Sequence, residues 1–254
     1  MEEKFKKVVE KFKEATEKEC YKVLLLEDAP GIMDDKIGGQ PYLPIGEEYP
    51  KDKDGNFMPL LLQVNLKNVD LANFPKKGIL EIFTDVNVDY PCQYSIRYYE
   101  EGLKYQTDLP AVDTSRYIIE KSIKIQLEKD ICHMPINDYK FADIMCEILN
   151  ELYDANVNNY GEMEDYFGDF PWYDKIRDEL SNPAITIGGY PDFTQSDPRY
   201  GRLSGKEECL FKLDSWTNGN LFNIGDCGIL FTLISLEDLK NNNFENAVVD
   251  WDCY

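Results

Sequence analysis

His133 is the only histidine in this 254-residue sequence, and that fact alone removes most metal and proton-relay chemistry. Zinc sites built on two or three imidazoles, HExxH helices and paired-histidine relays all need more than one. The seven cysteines (Cys20, Cys92, Cys132, Cys146, Cys209, Cys227 and Cys253) are odd in number and include no CxxC pair. Neither a disulfide framework nor a thiolate zinc site is indicated, and they read as reduced thiols of a cytoplasmic protein. A Cys–His nucleophile would have to use His133, and the side chain of its neighbour Cys132 points to the other side of an extended chain.

Polar residues placed inside apolar strands are the better candidates. Gln63 and Asn65 alternate along one apolar run, and Lys212 and Asp214 along another, so each pair projects from one sheet face. Two readings stand: internal hydrogen bonds, or a shared ligand cleft between two halves of the molecule. Arg199 and Arg202, with Asp192, Gln195 and Asp197 just before them, form either a surface salt-bridge network or a clamp for an anion. Asp226, flanked by Gly225 and Gly228, is a turn residue first and a carboxylate ligand second. The glycine pairs Gly38-Gly39 and Gly188-Gly189 supply positive φ before Pro41 and Pro191, or else bare amides for an anion. Asp154, Asn156, Asn158 and Asp165 partly match a calcium loop, but Asn159 and Gly161 break its pattern. No cofactor is selected by any of these patterns.

Charge narrows the partners. Lys plus Arg number 27 against 48 Asp plus Glu, a net charge of −21 with no basic run, which disfavours nucleic acid. No stretch approaches the ~18 apolar residues of a membrane span, and residues 1–19 have no apolar leader region. The expected partner is a small molecule or a protein.

These residues have to be positioned by a few recognisable elements. Phe5, Val8, Val9, Phe12 and Ala15 recur at helical spacing, giving an amphipathic helix that docks on a core or, alternatively, on a membrane surface. Residues 20–26 read as a buried strand, 92–99 and 122–127 as half-exposed antiparallel strands, and 141–152 as a strong helix. Ser235 opens a short helix, while residues 154–169 read as an acidic, aromatic surface loop. The most informative pattern is a repeat. Ile37-Gly38-Gly39-Gln40-Pro41 recurs as Ile187-Gly188-Gly189-Tyr190-Pro191, and Gly78-Ile79-Leu80 as Gly228-Ile229-Leu230, both at an offset of 150. Residues 61–65 match 210–214 at an offset of 149, one residue out of step.

At these paired turns the sequence resembles the YwqG-like family of uncharacterised bacterial cytosolic proteins. The resemblance rests on residues 37–44, 59–65, 74–80, 189–195, 213–215 and 225–228. It implies an α+β fold containing a duplication, and no established reaction. The sequence departs from the family pattern at Ile185 and Thr186, where a histidine is usual, at Lys212 in place of glutamine, and at Ile224 in place of tryptophan.

The expectation is therefore one α+β domain over residues 1–254. An internal duplication (37–84 and 187–234) gives two mostly antiparallel, β-rich halves with a few flanking helices. Its function is read as non-enzymatic binding in a cleft between the halves, through Gln63, Asn65, Arg199, Arg202, Lys212, Asp214 and Asp226. The alternatives are a carboxylate- or metal-dependent hydrolase or transferase, and a protein-interaction role for residues 160–172.

Overall fold

A computed structural model of the chain describes residues 1–86, 91–114, 118–119, 121–215 and 222–253. Ten strands among these residues form one mixed-order antiparallel sheet. In chain order they are β1 (Lys18–Leu26), β2 (Lys36–Ile37), β3 (Leu60–Asn65), β4 (Ile79–Thr84), β5 (Tyr94–Tyr99), β6 (Ile123–Cys132), β7 (Ile185–Gly188), β8 (Glu208–Asp214), β9 (Ile229–Ile234) and β10 (Val248–Asp252). Their spatial order is β10-β9-β8-β7-β1-β6-β2-β3-β4-β5. The long central pair β1 and β6 is crossed: β1 borders β7 of the later half, and β6 borders β2 of the earlier one.

The sheet curls until its two edges approach, giving a nearly barrel-like shape. The rings of Tyr98 on β5 and Phe244, just before β10, lie 5.1 Å apart. The Cys92 thiol donates to the Val249 carbonyl at 3.6 Å. One apolar cluster fills the concave side, drawing Tyr21, Ile37, Val64, Leu80, Ile125, Ile187, Leu213, Leu230 and Val249 from strands all round the sheet. Period-two alternation then sends Cys20, Lys36, Gln63, Glu81, Cys132 and Lys212 to the convex side.

The two halves share local geometry. β3 and β4 slip register between Leu60 and Leu62, and β8 and β9 slip between Cys209 and Phe211. Lys36 pairs with Gln63 as Thr186 pairs with Lys212. Glu81 faces Gln63 where Phe231 faces Lys212. At the turns, Gly39 and Gly189 both hold positive φ, +81° and +75°. A β-carbon on Gly189 would meet Cys132 Sγ at 2.8 Å and Cys20 Cβ at 2.9 Å, so close approach to the sheet excludes any larger residue there.

Four helices make a separate apolar layer: α1 (Glu2–Thr16), α2 (Phe141–Tyr153), α3 (Tyr160–Phe167) and α4 (Trp172–Glu179). Phe5, Val8, Val9 and Phe12 of α1 are buried against Phe141, Met145, Phe167 and Trp172. The apolar face of α1 is thus consumed internally, which corrects the membrane-surface alternative. Residues 154–169 are only partly a loop, since Tyr160–Phe167 form α3. Asn159 caps α3 by accepting from the Glu162 amide, and Met163 and Phe167 are buried. Of its aromatic residues Phe167 is core, Tyr166 is partly buried and Tyr160 is exposed. The short helix α5 (Leu236–Lys240) starts at Ser235, whose side chain accepts from the Asp238 amide.

The convex face of the earlier half is closed by Tyr42, Tyr49, Phe83 and Tyr99. Beneath them lies Glu81, 0% exposed, with neither carboxylate oxygen hydrogen-bonded. Burial pushes its carboxyl up to about 8 against the opposing influence of the Tyr42 amide, Lys36 and Arg97. Lys36 is also buried, donating its ammonium to the Gly31 and Ile32 carbonyls at 3.1 and 2.9 Å. Desolvation pushes it down to about 8.

Candidate functional site

The later half presents a different convex face. Phe193, Leu203, Cys209, Phe231 and Leu233 form a small cluster there, and beside it opens a cavity of ≈ 750 Å³. Three segments line it: residues 137–139 between β6 and α2, residues 195–202 between β7 and β8, and Phe231, Trp251 and Asp252 from β9 and β10.

The first two segments are locked together by a buried ion cluster. Arg199, 4% exposed, donates from Nε to Asp197 Oδ1 at 3.0 Å, and from one terminal nitrogen to Asp197 Oδ2 and Asp138 Oδ2, both at 2.6 Å. Asp197 also accepts from the Arg199 and Tyr139 amides, capping the 3₁₀ turn Pro198–Tyr200. Burial alone would lower the Arg199 pKa, but the two carboxylates outweigh it and raise it. The guanidinium lies 5.4 Å from the ring centres of both Tyr139 and Phe193. Its charge is fully engaged inside the protein. Arg199 is therefore a brace for the loop, and the anion-clamp reading does not hold for it.

Arg202 differs, being 54% exposed at the cavity wall while bonded to the buried carboxylate of Asp250. Asp252 accepts from the Thr194 and Gln195 amides at about 3 Å, and burial raises its pKa. Tyr200 is 83% exposed, its ring 6.2 Å from that of Tyr139, whose hydroxyl donates to Glu207 at 3.1 Å. The site thus offers aromatic planes, one accessible guanidinium and a carboxylate. Its lining contains no histidine, cysteine or lysine.

The other expected site residues lie elsewhere. Gln63 accepts from the Tyr42 amide at 2.7 Å and donates to the Ile32 and Asp34 carbonyls at 2.8 and 3.0 Å, so its polar groups are spent on holding the loop before β2. Asn65 accepts from the Lys67 amide at 3.1 Å, capping the turn after β3. Lys212 is buried on β8, Asp214 ends that strand, and Asp226 is exposed in a turn. Strands β2, β6, β1 and β7 separate β3 from β8. The cleft shared by Gln63, Asn65, Lys212 and Asp214 therefore does not form, because the halves join edge to edge in one sheet and do not face each other.

The calcium-like positions are used locally as well. Asp154 is a left-handed helix cap, Asn158 bonds to Glu162, and Asp165 lies within α3. Among the described residues, no group of three or more His, Cys, Asp or Glu side chains is placed to hold a metal. No helix of the described residues is long and apolar enough to cross a membrane. His133 Nδ1 lies 3.2 Å from the Lys13 carbonyl, a structural contact with α1.

Sequence reasoning missed Tyr139, Tyr200, Asp138 and Asp252. Their only signal was aromatic and acidic residues flanking the arginine pair, and Asp138 is 61 residues from Arg199 in sequence. Comparison with curated proteins finds no match. Residues 35–253 match the family model described as Domain of unknown function (DUF1963), and the chain belongs to that family.

Proposed function

We propose that this chain is a binding protein whose ligand occupies the cavity on the later half, a small molecule with a planar ring stacked on Tyr200 and a polar group at Arg202. The observation that carries this reading is Tyr200, 83% exposed at a cavity of ≈ 750 Å³. A large ring left in water beside a concave site, on a loop held rigid by a buried ion cluster, is pre-organised for stacking. Of the expected site residues, Arg202 is retained in this proposal. Among the described residues no hydrogen bond ties the lining's Ser196 hydroxyl to a base, which favours holding a ligand over turning it over. The thiols suit a reducing cytosol, the compartment we assign.

The test is ligand-observed NMR with nucleosides and aromatic carboxylates as probes, repeated on Tyr200→Ala and Arg202→Ala. A probe that binds the native chain should lose at least tenfold in affinity in Tyr200→Ala. Unchanged affinity in both variants, or no bound probe, refutes the assignment.

We also infer that the halves descend from one duplicated unit. Matched register slips, matched pairing and matched glycine torsions support this. Profiles built separately from residues 18–99 and 123–252 of family members should align with Gln63 opposite Lys212; alignment in any other register refutes it.

A further inference from the structure

Cys20 on β1 and Cys132 on β6 lie on the convex face at the centre of the sheet, each 0% exposed, with their Sγ atoms 2.7 Å apart. They are diagonal neighbours across the central pair, Cys20 opposite Asp130 and Cys132 opposite Lys18. The turn at Gly189 covers them so closely that a side chain there would strike both residues. Lys212 completes the surroundings. Its buried ammonium influences Cys20, Cys132 and Asp192, and Asp130 opposes it. No other cysteine pair among the described residues makes such a contact.

We propose that Cys20 and Cys132 form a redox-active dithiol, closed to a disulfide by a hydroperoxide. The two sulfurs need to approach only about 0.7 Å further to reach a bond length of ~2.05 Å. Cys132 is the attacking sulfur. The hydrogen bond shared with Cys20 holds its thiol below the usual range, and Lys212 and the Tyr190 amide add to this against the cost of burial. Cys20 is correspondingly pushed up, first by that bond and then by burial, so it keeps the shared proton.

With the Gly189 turn displaced to admit peroxide to the 0%-exposed pair, the Cys132 thiolate attacks one peroxide oxygen and the O–O bond breaks. The departing oxygen takes a proton and leaves as water, and Cys132 becomes a sulfenic acid. The Cys20 sulfur then attacks that sulfur, the S–O bond breaks, and the hydroxyl leaves with the Cys20 proton as a second water. Two thiols are oxidised by two electrons in total, and one hydrogen peroxide is reduced to two waters. The product cross-links β1 to β6, the pair through which the two halves are joined.

The experiment treats the full chain with equimolar hydrogen peroxide, alkylates the remaining thiols under denaturing conditions and maps peptides without reduction. The expected result is a Cys20–Cys132 linked peptide, about 2 Da lighter than its separate components, with Cys209 still alkylated and the link reversed by dithiothreitol. In Cys20→Ser the second step is blocked, so dimedone added together with the denaturant should label Cys132 as a trapped sulfenic acid. Cys20 and Cys132 recovered as separate alkylated peptides after peroxide, or a link no more abundant than random pairs with Cys209, overturns the proposal. So does a Cys20→Ser chain in which dimedone, added with the denaturant after peroxide, labels Cys132 no more than Cys209.

Discussion

Replacing Glu81 by Gln should stabilise the protein, by an amount that depends on pH in a defined way. The side chain is 0% exposed and its two oxygens have no hydrogen-bond partner, so glutamine of the same shape loses nothing the carboxyl had. What changes is the proton. In the unfolded chain Glu81 titrates near its ordinary 4.5, and in the folded protein burial pushes it up to about 8. The folded state therefore binds the proton more tightly. Its contribution is fully present below pH 4.5 and is lost as pH rises toward 8, at ~1.4 kcal/mol per pH unit. At pH 7 the loss is about 3 kcal/mol, which the glutamine variant does not suffer. For a chain of this size that corresponds to a rise in Tm of roughly 6–12 °C at pH 7. The difference should fall below ~1 kcal/mol at pH 5 and level off above pH 8. Urea unfolding of both proteins from pH 4.5 to 9 checks this. A difference that stays constant across the range would show that Glu81 is ionised in the folded state. A variant less stable than the native chain at pH 7 would show that the carboxylate is paired with Lys36.

Arg199→Met should cost about 3–5 kcal/mol in equilibrium denaturation, because it strands the buried carboxylates of Asp138 and Asp197, and a loss below ~1 kcal/mol would refute the bracing role. Gly189→Ala should destabilise by more than ~1 kcal/mol, since positive φ and the contact with Cys132 oppose it together; a Tm within a degree of the native value would refute the close packing of that turn. Tyr200→Ala should leave stability within ~0.5 kcal/mol of native in the same urea assay, because the ring is exposed, so any loss of binding in that variant reports on the site.

Much of the architecture was legible because it rests on local signals. The 3.6-residue spacing of α1 and α2 and the alternation of β5 and β6 follow directly from burial of one face. The one-residue slip between the 150 and 149 offsets lies in the connections, with 13 residues between Asn65 and Ile79 and 14 between Asp214 and Ile229, whereas the register slips at Leu60/Leu62 and Cys209/Phe211 occur in both halves and leave the offset unchanged. What was not legible depended on long-range pairing. That β1 inserts beside β7 cannot be read from residues 18–26, since any strand of that length satisfies the same pattern. The acidic composition of residues 154–169 concealed α3, whose burial comes from Met163 and Phe167 alone. Gln63 and Arg199 were correctly singled out as unusual, but their partners, the Ile32 carbonyl and Asp138, are 31 and 61 residues away and carry no motif. The cavity, likewise, is made by two loops and a sheet edge whose meeting is set by the fold.

The crossed arrangement of β1 and β6 also has a consequence for synthesis. β1 leaves the ribosome well before both of its neighbours, β6 and β7. About 160 residues separate Leu26 from Gly188, which at ~5–20 residues per second is roughly 10–30 s of translation. Until β6 emerges, about 100 residues after Leu26, the nine-residue strand β1, with its run of leucines, has two unpaired edges, and one edge stays unpaired until β7 follows. β1 is therefore paired on both sides only once Gly188 has emerged, and the sheet is completed only with β10. Slow elongation, which helps many proteins fold in order, would here lengthen the exposure of β1 and its opportunity to pair with the wrong chain.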